Sequence, residues 1–266
     1  MLRVRVCVAI GFIVLLAIPT MAQTDSVPSD SELTAIAARG RMLYEYDQAA
    51  WHASDAVMAT HPPKEDLGRY IAHKTDAGWE VAFGHLNESR DAFLVGVLAT
   101  EGRSLQEFSV RKYETPQRDN GFYLTAAKGI EKALKDFQGA NRPYNAAVLP
   151  ADASQLYIYF VPAQTEDGVY PLGADARYLI SADGAVLEKR QLHRGIIPTG
   201  GPVPAGATVV GGQHSHVLSN VPEDTDVFYV LTRKPPMPEY IGTQIAIYEV
   251  KADGTIRVVE RLKKHR

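Results

Sequence analysis

Moved forward by seventy positions, residues 154–190 lie without a gap over residues 224–260. Tyr159 falls on Tyr229, Tyr170 on Tyr240 and Tyr178 on Tyr248, and Ala182-Asp183-Gly184 falls on Ala252-Asp253-Gly254. Apolar pairs such as Ile158/Phe228, Phe160/Val230 and Ile180/Val250 match as well. Each unit reads as a strand, a longer loop, a strand, a tight Asp-Gly turn and a return strand. Glycine accepts the positive φ that such turns need. The C-terminal half is therefore expected to be two β-meander units, over 139–194 and 214–266, joined by the Gly/Pro-rich stretch 195–213. Loops of that length in compact proteins tend to be functional or disordered. With no following GKS or GKT, this one is not a phosphate cradle.

The N-terminal half has a different period. Ser29 and Glu32 have capping-box spacing. Leu33, Ile36, Leu43, Tyr46, Ala50 and Val57 then recur near helical spacing, predicting a long helix to about Ala59. His61-Pro62-Pro63 stops it. Residues 67–113 give strand signals, and 124–138 give a second helix with Leu124, Ala127, Ile130, Leu134 and Phe137 on one stripe. The fold class expected is α+β with mostly antiparallel sheet. A helix-strands-helix part covers 31–138, and 31–266 is one compact unit.

Residues 1–22, MLRVRVCVAIGFIVLLAIPTMA, read as a signal peptide with a basic start, an apolar core and a cut after Ala22. The core is short for a membrane span, so no stable membrane anchor is expected after cleavage. Residues 23–30 are polar and expected to be disordered. The leader carries the sole cysteine, Cys7, so the remaining chain must build its core without disulfides. It also carries Arg3, Arg5 and no acid, so its loss moves the formal charge from −3 to −5. That acidity, with scattered Lys and Arg, argues against nucleic acid as a partner. Export to the periplasm or the extracellular space is expected.

One constellation invites chemistry. His214 and His216 sit one residue apart at the expected start of a strand, where positions i and i+2 share a face. Two imidazoles there make half of a zinc or other transition-metal site, and His193, Glu223, Asp224 and Asp226 are the candidates to complete it, His193 and Asp226 first. The alternative is two imidazoles on an ordinary strand face, with the acidic run after them bonding nearby backbone. The H-x-H tripeptide resembles the opening of the JAMM metallopeptidase motif, H-x-H-x7-S-x2-D. Asp224 stands at the serine position and Val227 at the aspartate position, and DVFYVLT reads as a strand where that motif runs into a helix. The resemblance covers the tripeptide and carries no residue roles across.

No HExxH helix or GxSxG elbow is present, and the mature chain has no cysteine nucleophile. The function expected first is non-catalytic: an exported binding or envelope-associated protein, without a cofactor, that meets an unknown protein or small-molecule ligand. The second is an exported metal-dependent hydrolase. There His214, His216 and either His193 or Asp226 would bind zinc, and Glu223 would act as general base on a bound water.

Overall fold

A computed structural model describes residues 26–152, 154–197 and 205–263. The expected signal peptide and residues 23–25 lie outside them, as do 198–204 of the Gly/Pro-rich stretch. The end of the segment expected to be disordered is held in place: Val27 packs on the C-terminal core and Pro28 is buried.

Helix α1 runs Asp30–Met58, and its start has the expected cap. The Glu32 amide donates to Ser29 Oγ at 3.3 Å, and the Ser29 amide donates to Glu32 Oε2 at 2.8 Å. Every apolar position named from its period is buried. After the short α2 (Lys64–Leu67), strands β1 (Arg69–Thr75), β2 (Gly78–Leu86), β3 (Phe93–Glu101) and β4 (Phe108–Asp119) form an antiparallel sheet in chain order. Helix α3 (Phe122–Asp136) follows.

A second sheet, ordered β5-β6-β8-β9, uses Tyr144–Pro150, Leu156–Pro162, Ala176–Ile180 and Val186–Gln191, all antiparallel. Between β6 and β8, the two-residue strand β7 (Leu172–Gly173) pairs with β10 (Ile196–Ile197). The third sheet, ordered β11-β12-β13-β14, uses Gly212–Ser215, Glu239–Gly242, Ala246–Val250 and Ile256–Arg261. The α+β class with a long N-terminal helix and mostly antiparallel sheet stands.

Both Asp-Gly turns close antiparallel hairpins, β8–β9 and β13–β14, while the segments that lead into them differ. Gly184 and Gly254 take φ +79° and +80°, and each donates its amide three residues back at 2.8 Å, to Ser181 and Lys251. The strand expected over 224–230 is instead helix α4 (Asp224–Thr232). Its β-branched and aromatic run has strand propensity, but β11 pairs with β12 in parallel. Parallel neighbours need a crossover, and α4 is that crossover. Helix α1 accommodates it at Gly40, where an added Cβ would lie 2.5 Å from both the Asp224 oxygen and Val227 Cβ.

Two apolar clusters result. The larger joins α1, the first two sheets and α3 around Trp79, Tyr46 and Phe160. The smaller joins Leu33 of α1 with Val227, Val230, Ile241 and Tyr248. Helix α1 feeds both. Among the described residues, no helix is long and apolar enough to cross a membrane.

Candidate metal centre

His193 follows the last strand of the second sheet, while His214, His216 and Asp226 come from β11, its end and the first turn of α4. The structure brings all four together, with one ligand atom of each within 4.8 Å of the others. None of the four side chains is more than 4 % exposed. The Nε2 atoms of His193 and His214 lie 3.0 and 3.2 Å from Nε2 of His216. Asp226 Oδ1 is 3.1 Å from His193 Nε2 and 3.2 Å from His214 Nε2, and Oδ2 is 3.2 Å from His216 Nε2.

The other nitrogen of each ring is already committed. His193 Nδ1 meets Asp175 Oδ1 at 2.8 Å, and Asp175 Oδ1 also takes the His193 amide at 3.1 Å. His214 Nδ1 meets Glu239 Oε1 at 3.0 Å, with Arg233 Nη1 3.1 Å from Glu239 Oε2. His216 Nδ1 meets the Val221 carbonyl oxygen at 2.8 Å. A carbonyl oxygen only accepts, and ionised carboxylates only accept, so each ring, when neutral, carries its proton on Nδ1. Three Nε2 lone pairs and a carboxylate then face one point. Four acceptors cannot share a dry volume without a positive charge between them.

A transition-metal ion meets that need, and the four residues could hold one. Three imidazoles and a carboxylate form a nitrogen-rich borderline set suited to zinc and its neighbours. Tetrahedral zinc with nitrogens at about 2.0–2.1 Å puts its ligands about 3.3 Å apart, close to the spacings here. Without metal the same charge demand falls on protons. Burial pulls the His193 pKa down, but the Asp175 and Asp226 carboxylates overcome this and hold it well above the usual imidazole range. Burial opposes His214 too, yet its bonds to Asp226 and Glu239 push it up to about 9. The Asp226 carboxyl resists burial in the same way, and His216 and His193 hold it well below the ordinary range.

Local structure fixes each ligand. His214 and His216 share a face because they are two apart in extended chain, as expected. Asp226 reaches back so that Oδ2 accepts the Glu223 amide at 2.6 Å, which locks the carboxylate at the helix start. Gly212 lies where an added Cβ would sit 2.1 Å from Glu239 Oε2, so a side chain there would displace the carboxylate that orients His214.

Glu223, the base in the hydrolase expectation, is buried and bonded to Arg190 Nη2 at 2.6 Å. Burial raises its carboxyl despite Arg190. It caps α4 and is not among the four converging residues. Asp175, Glu239 and the Val221 carbonyl escape sequence reasoning, since nothing in a lone Asp or Glu on a strand marks it as a histidine partner. The neighbouring Asp224 belongs to a separate buried cluster with Arg177 Nη1 at 2.5 Å, Tyr159 Oη at 2.7 Å and Arg39 Nε at 3.0 Å.

No family model, curated protein or solved structure matches this chain.

Proposed function

We propose that this is an exported, non-catalytic binding protein whose fold is closed by one transition-metal ion, zinc in the first instance. The metal would bind His193, His214 and His216 through Nε2 and Asp226 through its carboxylate. The observation that carries this is the Nδ1 commitment of all three rings, which leaves each neutral ring with its Nε2 lone pair pointing inward.

A structural role is favoured over a catalytic one by the ligand count. Structural zinc sites are closed by four protein ligands, whereas catalytic ones keep a position for water. Here four buried protein groups converge, and they come from both sides of the seam between the two apolar clusters. A metal there would tie the end of the second sheet to the start of the third and clasp the intervening Gly/Pro-rich stretch. Export rests on the character of residues 1–22.

The metal-dependent hydrolase is the second reading, and one feature favours it. The order strand, HSH, loop, helix with an aspartate in its first turn is nearer to the JAMM arrangement than the sequence suggested. Asp226 stands one residue short of that motif's aspartate, and Asp224, held by two arginines, replaces its serine. Cobalt(II) substitution separates the two readings. A closed four-ligand site gives the intense visible absorption of tetrahedral cobalt, unchanged by added anions. A weak spectrum that shifts on adding azide reports an open position and favours the hydrolase.

A further inference from the structure

Beside α1, a cleft of about 370 Å³ opens between that helix, the loop after β6 and the end of α4. This is within the size range of small-molecule sites. Trp51 lines it and is 47 % exposed, with the His52 ring stacked against it at a centroid distance of 4.9 Å.

The cleft is richer in acceptors than in cations: three carboxylates and the Gln48 carboxamide oxygen line it beside one ammonium. The Gln48 carboxamide is nine-tenths buried, and its one hydrogen bond, at 3.4 Å, gives its NH₂ to Asp47 Oδ2 and leaves its oxygen unpartnered. Gln164 likewise donates its NH₂ to the Glu166 carbonyl at 3.0 Å. Thr232 donates its hydroxyl to the Phe228 carbonyl at 2.8 Å. Three carboxylates, Asp47, Glu166 and Asp167, also line the cleft, and among the described residues none has an ion-pair partner. The single cation there, Lys234, places Nζ 5.1 Å from the Trp51 ring centroid and pairs with no carboxylate among the described residues. The Trp51 face thus already carries an ammonium, the geometry of a cation–π contact.

A ligand for this surface must bring several N–H donors and more than one positive charge, on a flexible apolar stem that can lie along an aromatic ring. We infer that the cleft binds an aliphatic polyamine, with ammonium groups on Asp47, Gln48 and the Glu166/Asp167 pair and a methylene stem along Trp51. The Asp47 carboxyl agrees: burial without a counter-ion raises it to about 6. This site is independent of the metal centre.

Calorimetric titration of the metal-loaded chain with spermidine tests it. One saturable site is expected, accompanied by a change in fluorescence from Trp51, the exposed one of two tryptophans. Asp47→Asn is expected to weaken binding about tenfold, equivalent to ~1.4 kcal/mol. Glu166→Gln with Asp167→Asn should do at least as much, and both positions are on an exposed loop where folding is not at stake. Glu88→Gln with Glu260→Gln removes two exposed charges elsewhere and should leave affinity unchanged. Absence of saturation overturns the inference, as does equal loss in the remote pair, which would reduce binding to general charge attraction. Unaltered affinity in both cleft variants overturns it too.

Discussion

His216 Nδ1 lies 2.8 Å from the Val221 carbonyl oxygen, and that bond decides what its other nitrogen can do. A neutral ring must carry its proton on Nδ1, so its Nε2 turns a lone pair toward His193, His214 and Asp226. Asp175 and Glu239 impose the same orientation on the other two rings. Holding three imidazoles in one tautomer, each through a different element, is the structural outlay that a metal site requires.

Asp175→Asn and Glu239→Gln keep shape while weakening the acceptor behind His193 and His214. Loss of such partners costs roughly 10–100-fold in metal affinity. Zinc affinity measured by competition with a chromogenic chelator should fall in that range for each variant, with the fold retained by circular dichroism. Unchanged affinity in both would remove these carboxylates from the site.

Asp224 is expected to matter for stability and not for metal chemistry. Its carboxylate faces Arg177, Arg39 and Tyr159 while its own side chain is 1 % exposed. Asp224→Ala leaves the Arg177 guanidinium buried without its counter-charge, a loss of about 3–5 kcal/mol. Urea unfolding would record it as a lower midpoint with an unchanged slope.

Gly40 tests the crossover helix. A methyl group there collides with the Asp224 oxygen and Val227 Cβ, both backbone or backbone-proximal atoms that cannot swing away. Gly40→Ala should push α4 off α1 and cost about 1–3 kcal/mol despite alanine's better helix propensity. A gain in thermal stability would show that the two helices are not packed this way.

The pH dependence of folding carries a mark of Asp47. Its folded carboxyl, raised by burial to about 6, exceeds the unfolded value of ~3.9. The folded chain therefore binds this proton more tightly. The contribution favours folding below about pH 4, fades as pH rises through 6, and is fully lost above that, a change of up to about 3 kcal/mol. Asp47→Asn should unfold at higher urea than wild type at pH 7.5 and at the same urea near pH 4. A wild type as stable as the variant at pH 7.5 would contradict the burial of an uncompensated carboxylate.

Much of this architecture was legible in the sequence, where the signal is local. The Ser29/Glu32 cap, the period of α1 and the paired Asp-Gly turns depend on residues within a few positions of one another. So does the shared face of His214 and His216. The lead-in to the second unit misled because VFYV favours a strand by propensity, whereas the parallel β11–β12 pairing that demands a helix is a tertiary fact. A local sign was present all the same: Glu223 and Asp226 have the spacing of a helix cap ahead of that run. Proximity in the chain marks His193 and Asp226 as candidate ligands but marks Glu223 and Asp224 equally, and only the fold turns those two toward arginines. Asp175, eighteen residues before His193, and Glu239, across the parallel pair from Gly212, acquire their roles only when the sheets form.

Metal content of the tag-free chain, by elemental mass spectrometry beside His214→Ala/His216→Ala, addresses the central claim most directly. The account predicts close to one zinc or other transition-metal ion per wild-type chain and loss of it in the double variant. A wild type that stays metal-free after dialysis against zinc would contradict it, leaving the four residues as a proton-held cluster in the seam.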